Sequence, residues 1–353
     1  MLVLGIETSC DDTAVSVVRN GIEVLSNIRE SQPEHNDWGG VVPEIAARLH
    51  AENWKGVLAN ALETADVTID DIDAIAVTQG PGRKTTLLTG TTAGSFLSLL
   101  YDKPLIPVQH IIGHMMSVHL GRSGEVLLPA LILTVSGGHT QIHYRGGKTN
   151  NSEEGFLDIE LVGTTRDDAC GEAFDKLSKM LGLGYPGGPI VSKMAEQGNP
   201  KGFDLPYIYL EKDSLDFSFS GLKAACRRIV EAEFEQRPRG EDLELDNKFI
   251  CDLCASFEAV VSRIFLKKLE RSLDRYPAIK QIHFVGGVSS NKRLQDDFAV
   301  FLQRRGVEIL SPKKMEYCTD NAAMIACAGY FLYQQNLEIA QRQFIDPNAR
   351  MMI

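Results

Sequence analysis

His110 and His114 stand four residues apart, directly after an apolar run from Leu105 to Val108 that reads as a short strand. A helix beginning at His110 puts both imidazoles on one face at the mouth of a sheet, where two such side chains can chelate one metal ion. The bland alternative is a pair of ordinary polar residues on a half-exposed helix. A chelate also needs a donor from elsewhere in the chain. Asp320, in Cys318-Thr319-Asp320-Asn321 at the start of a late helix, supplies a carboxylate, although the same residue can serve as a plain helix cap. Two imidazoles and one carboxylate leave positions open on the ion, the pattern of non-haem iron and of catalytic zinc. Paired histidines also invite a protease reading. Ile111 follows His110 where the signature HExxH needs its glutamate, so that reading has no general base.

Other residues suit an anionic or nucleotide ligand. An apolar strand runs into the small-residue turn Glu7-Thr8-Ser9, and a second runs into Ser136-Gly137-Gly138; such turns can aim backbone N–H groups at an anion. Gly286-Gly287 opens a helix with Asn291 near its start, and helix N-termini carry free N–H groups and partial positive charge; a plain tight turn reads equally well. Asp175, followed by the rigid turn Tyr185-Pro186-Gly187-Gly188-Pro189, can read ribose hydroxyls while bare backbone packs against a sugar or base. A charged helix face with a C-terminal cap is the alternative. Asp11 and Asp12, just past the first turn, are acids placed to hold a phosphate-bound metal or activate a nucleophile, or are simply loop acids.

The elements that must position these groups follow from periodicity. Strands are predicted over Leu2 to Ile6, Thr13 to Val18 and Ile22 to Ser26, then a helix from about Pro43 to Thr64, a strand Ala74 to Thr78, a helix from Lys84, the strand Leu105 to Val108 and the helix from His110. Ala130 to Val135 and Thr140 to Tyr144 repeat the opening, and helices follow at Ala169 to Leu181, Ile190 to Gln197, Leu222 to Glu235 and about Asn247 to Arg275. A strand Gln281 to Val285 precedes the late glycine turn. Strand–helix alternation means α/β layering, and the repeated start means two sister lobes with a phosphate held in the cleft between them. The expected lobes are 1–125 with about 315–353, and 126–314 carrying helical insertions.

Composition agrees with such an enzyme. At 353 residues the chain exceeds one ordinary core, and 44% hydrophobic with 24% charged residues is a globular mixture. There is no apolar run of about 18 residues and no secretion-signal layout at Met1 to Gly5, so a cytoplasmic, membrane-free protein is expected. Seven scattered cysteines argue for free thiols, and the lone pair Cys251-Cys254 sits in a helical run where packing explains it better than zinc. The net charge of −11 gives no general nucleic-acid footprint; RNA must meet a local patch such as Arg227-Arg228, Arg304-Arg305 or Lys313-Lys314, or a partner's surface.

Taken in order, ten strings resemble one family, the bacterial tRNA N6-adenosine threonylcarbamoyltransferases (TsaD) of the actin-like ATPase (ASKHA) fold. They are Gly5 to Asp11, Gly39 to Arg48, Gly80-Pro81-Gly82, His110 with His114, Ser136 to Gln141, Gly171 to Lys176, Tyr185 to Pro189, Phe217 to Lys223, Gly286-Gly287-Val288 and Cys318 to Asn321. The resemblance implies a divalent metal, Fe2+ first and Zn2+ second, on His110, His114 and Asp320. It implies threonylcarbamoyl-AMP on Thr134, Val135, Ser136, Gly137, Gly138, Asp175, Gly188 and Asn291. The implied reaction is attack by adenosine N6 on the carbamoyl carbon with loss of AMP, Asp11 assisting the amine proton and Ser136 the developing charge. Implied partners are tRNA, a smaller paralogous (TsaB-like) subunit, a P-loop (TsaE-like) ATPase and a separate enzyme that makes the adenylate. Arg83-Lys84-Thr85-Thr86 and Asn36-Asp37-Trp38 depart from the family pattern and bear on partner or tRNA contact. Two other readings share the fold: a small-molecule kinase using ATP, and a non-catalytic scaffold.

Overall fold

A computed structural model describes residues 1–38, 41–122, 126–146, 158–207, 210–211, 213–235, 245–340 and 344–352. Gly39 and Gly40 of the second family string lie outside these, as do the side chains of Asn36-Asp37-Trp38. The chain divides into two compact units: Met1–Leu127, Gly146–Ile159 and Ser311–Ile353 form unit 1, and Leu128–Arg145 with Glu160–Leu310 form unit 2.

Unit 1 opens with the strands β1 (Leu2–Glu7), β2 (Asp12–Arg19) and β3 (Glu23–Ser31), whose alternating apolar residues suit an antiparallel meander. Helix α1 (Pro43–Thr64), with proline in its first turn, leads to β4 (Ala74–Gly80), α2 (Lys84–Tyr101), β5 (Leu105–Gln109) and α3 (His110–Met116). Unit 2 repeats the plan with β6 (Ala130–Val135), β7 (Thr140–Arg145) and β8 (Ile159–Thr164). Four helices follow, α4 (Cys170–Met180), α5 (Gly187–Ala195), α6 (Ser220–Glu235) and α7 (Asn247–Arg275), then β9 (Gln281–Val285), α8 (Lys292–Arg305) and β10 (Glu308–Leu310). The chain then returns to unit 1 as α9 (Ala322–Gln335). The sheets run β3-β2-β1-β4-β5 and β10-β9-β6-β7-β8, each an antiparallel hairpin extended by parallel strands, which bears out the duplicated α/β reading.

Register explains how unit 1 gathers its polar groups. Because β1, β4 and β5 are parallel, with Ile6 beside Val77 and Thr78 beside Val108, their carboxyl ends lie along one sheet edge. Glu7, Thr78 and His110 all fall at that edge. Helix α9 is apolar from Ala322 to Leu332 and lies on β1 and β4. Small residues let it come that close: a Cβ on Gly5 would overlap Ala322 O, one on Gly329 would overlap the Cβ of Ala76, and one on Gly113 of α3 would come within 2.8 Å of Ile325 Cδ1. The close approach brings the residues before α9, Asp320 among them, to the same edge.

In unit 2 the helices bury Leu131, Leu133 and Val135 of β6 with Phe174, Phe257, Phe265, Phe284 and Phe298. Cys251 and Cys254 belong to that core as free thiols, and no metal-ligand cluster among the described residues includes them. The opposite face of the sheet holds His143, fully buried, with neither ring nitrogen bonded among the described residues. Burial, aided by the charge of His139, lowers this imidazole to about 4. Since the unfolded chain takes up a proton near pH 6.5 and the folded one near 4, stability is full above 6.5 and falls as pH drops through that window. Between pH 7 and 5 the loss amounts to about 2 kcal/mol. Denaturant titrations of His143→Leu should show this slope flattened; an unchanged slope would remove His143 as its source. Among the described residues no helix is long and apolar enough to cross a membrane.

Candidate metal centre and ligand turns

His110 begins α3 with its ring almost fully buried, and His114 follows one turn later with no exposure. Both Nε2 atoms face one carboxylate oxygen: Asp320 Oδ1 lies 3.1 Å from His114 and 3.6 Å from His110. The three donor atoms lie within 4.8 Å of one another, as the spacing and the late Asp-Asn string predicted. Asp320 is not the cap of α9; Asn321 takes that role by accepting the N–H of Met324. Two imidazoles and a carboxylate on converging atoms fit a divalent ion such as iron or zinc.

The far side of His110 is anchored by Glu7, which sequence reasoning did not single out. Nδ1 of His110 is 2.9 Å from Glu7 Oε2, and the same buried carboxylate accepts from Thr78 Oγ1 at 2.6 Å and from the N–H of Ser9. Burial alone would hold His110 neutral, but the charges of Glu7 and then Asp320 outweigh it and raise the imidazole to about 9. Burial likewise opposes ionisation of Glu7, and the His110 charge and hydrogen bond still bring its pKa below the ordinary value. The Glu7-Thr8-Ser9 turn therefore encloses a carboxylate of its own. One N–H of that turn, that of Ser9, is committed to Glu7 inside the protein.

Nearby, Asp11 is half-buried and Asp12 opens β2, where Ser31 Oγ donates to it and Arg29 lies 3.7 Å away. Burial, against those two partners, pushes Asp12 up to about 6. His50 of α1 pins the intervening loop, bonded to Thr13 Oγ1 at 2.7 Å and to Cys10 O at 3.1 Å.

In unit 2 the Ser136 turn is closed by its own atoms: Ser136 N donates to His139 O, and His139 N donates to Ser136 Oγ. Gly137 and Gly138 are exposed, and a Cβ at either would meet nothing within 4 Å, so internal packing does not demand glycine there. Gly188 is open in the same way. Thr134 Oγ1 is buried and unbonded among the described residues, while the Val135 side chain belongs to the core. Asp175 Oδ1 accepts from Gly187 N at 2.7 Å, which draws the start of α5 to Gly187 rather than the predicted Ile190. Asn291 caps α8 by accepting from Leu294 N, and its amide donates to Ser192 Oγ and to the buried carboxylate of Glu258. Of the basic pairs, Arg227, Arg305 and Lys314 each lie against an acid, so these pairs are not bare cationic patches.

The class follows from the duplicated sheet plan: the chain has the actin-like ATPase fold. T. kodakarensis HypF superposes with a TM-score of 0.57 at 15% identity, covering 97% of this chain and 49% of that one. A family model for TsaD, tRNA N6-adenosine threonylcarbamoyltransferase, matches residues 23–327. The tRNA N6-adenosine threonylcarbamoyltransferase of Bacillus thuringiensis (strain Al Hakam) is 46% identical over 95% of this chain and 92% of its own length. That of Staphylococcus epidermidis (strain ATCC 35984) is 42% identical over 95% and 93%. This chain belongs to the tRNA N6-adenosine threonylcarbamoyltransferase family.

Proposed function

We propose that this protein transfers the threonylcarbamoyl group from threonylcarbamoyl-AMP to N6 of the adenosine at position 37 of tRNAs that read codons starting with A. The observation that carries this reading is the meeting of His110, His114 and Asp320 within 4.8 Å in a chain of that family. Bound there, Fe2+, or Zn2+ in its place, supplies Lewis acidity toward carbonyl and phosphate oxygens. Thr134 to Gly138 and Gly188 receive the adenylate, the glycines letting it approach bare backbone. The N–H groups of Gly137 and Gly138, with Ser136, stabilise negative charge developing on the acyl oxygen. Asp175 holds the Gly187-Gly188 turn in shape, and Asn291 sets the N-terminus of α8. Asp11 takes the proton from the attacking amine, and AMP leaves.

An acidic chain that works on RNA is best understood with partners. The reading carries a smaller paralogous TsaB-like subunit and a TsaE-like P-loop ATPase, and the cytoplasm as the place where the tRNA is found. Leu88, Phe96 and Leu99 form an exposed apolar stripe on α2, which supports a protein contact on unit 1.

The test is to incubate the protein and its partners with tRNA, threonine, bicarbonate and ATP, then digest the tRNA and weigh its nucleosides. Modified adenosine supports the reading. ATP-dependent phosphorylation of a metabolite without modified tRNA points to a kinase instead. Gly137→Ala should weaken threonylcarbamoyl-AMP binding roughly tenfold with no shift in the melting temperature. Unchanged binding in calorimetry removes the turn from the adenylate site.

A further inference from the structure

Glu7 belongs to none of the metal-donor or adenylate-binding groups described above, yet it is almost completely enclosed and its two oxygens take three donors. Oε1 accepts the N–H of Ser9; Oε2 accepts from Thr78 Oγ1 at 2.6 Å and from His110 Nδ1 at 2.9 Å. The carboxylate thus ties the end of β1 to β4 and to the first residue of α3, and it has no room to turn. We infer that Glu7 is the positioning residue of the metal centre, holding a proton on His110 Nδ1 so that Nε2 is the nitrogen turned to Asp320 and offered to any ion bound there. The inference rests on the proposed metal reading of His110, His114 and Asp320.

The chemistry follows from the two tautomers of imidazole. A neutral ring carries its proton on one nitrogen only, and a carboxylate at Nδ1 selects the form whose Nε2 is an electron-pair donor. Hydrogen bonding to the carboxylate also makes Nε2 a stronger donor, and loss of such a support lowers metal affinity by about 10- to 100-fold. The two histidines differ in this respect. His114 is fully buried with its Nδ1 unbonded among the described residues, so it has no carboxylate supporting the nitrogen turned away from Asp320. The directed donor of the pair is His110, and Glu7 is what directs it.

The test is titration with Zn2+ in competition with a chromophoric chelator, on wild type, Glu7→Gln, Glu7→Leu and Thr78→Val, with nitrogen NMR of the histidine rings in the metal-free proteins. Glu7→Leu is expected to bind Zn2+ roughly 100-fold more weakly and Glu7→Gln roughly 10-fold, the neutral amide keeping an acceptor without the charge. Thr78→Val removes one donor from the same carboxylate but leaves its bond to His110, and should stay within about threefold of wild type. The Nδ1 proton of His110 should be hydrogen-bonded to Glu7 in wild type and lose that bond in Glu7→Leu. Glu7→Gln is the deciding variant if Glu7→Leu does not fold. Wild-type affinity in Glu7→Gln, or a loss in Thr78→Val as large as in the Glu7 variants, overturns the inference by making Glu7 irrelevant or merely structural. Wild type that binds no Zn2+ and no Fe2+ instead overturns the metal reading, and the inference falls with it.

Discussion

Asp320→Ala is expected to retain the fold, lose the bound metal and lower tRNA modification by about a thousandfold. The magnitude follows from the several kcal/mol that a metal contributes to stabilising charge in an acyl-transfer transition state. The fold survives because the Asp320 side chain is partly exposed and Asn321, not Asp320, caps α9. His110→Ala should behave differently. It removes the same chelate but also strips the buried Glu7 carboxylate of its ion-pair partner, and breaking such a buried pair costs about 3–5 kcal/mol. Metal content by elemental analysis, chemical denaturation and nucleoside mass analysis on the two variants separate the effects. If Asp320→Ala keeps its metal and its rate, the chelate has been misassigned; if His110→Ala is as stable as Asp320→Ala, the buried-pair argument fails.

Gly5→Val should disable the centre from a distance. Gly5 sits in the middle of β1 with α9 lying directly over it, and any Cβ there would overlap Ala322 O and come within 2.8 Å of Ala326 N. Neither is a flexible side chain that can swing aside, so the helix itself must move. Overpacking of this kind costs about 3 kcal/mol. Asp320 lies two residues before α9 and shifts with it, away from the Nε2 atoms 3.1 and 3.6 Å distant. The predicted outcome is a protein both less stable and unable to retain metal. Gly56→Ala is the matching control. A Cβ at Gly56, on the exposed side of α1, meets nothing within 4 Å, and exchanging glycine for alanine in a helix should stabilise by about 0.5–1 kcal/mol. Metal retention in Gly5→Val equal to wild type would show that α9 does not set the position of Asp320.

Much of the fold was legible because it is written in local periodicity. The bounds of α1, α7, β6 and β9 fall where apolar spacing and turn residues place them. The short strand β8 was missed: Ile159–Thr164 carries exposed Glu160 and Leu161, so no clean alternation marks it. Helix α5 starts three residues before the predicted Ile190, because Asp175 accepts the N–H of Gly187 across 12 residues of chain and so orders a Gly-Gly-Pro run that reads as a turn.

The chelate was half legible. His110 and His114 declare themselves by helical spacing, whereas Asp320 is 206 residues beyond His114 and comes into range only because α9 can lie on Gly5. Glu7 stood in a turn that the sequence marks, but nothing in its spacing tied it to His110. Its role depends on parallel pairing of β1 with β4 and β4 with β5, and a glutamate ending a strand in front of Thr-Ser reads as a surface turn until that pairing is known. For the same reason nothing in the turn's sequence showed that its Ser9 N–H is held by a carboxylate inside the protein. Asn291 was placed correctly at the start of a helix, but its commitment to Glu258 and Ser192 depends on contacts between three helices that spacing cannot reveal.

The most direct test of the central claim plots modified adenosine formed against metal bound, in one series of preparations stripped by chelator and reloaded in steps with Fe2+. A line through the origin that reaches its limit at one ion per chain is the predicted result. Full modification by protein that holds no metal, with His110, His114 and Asp320 all intact, would contradict it.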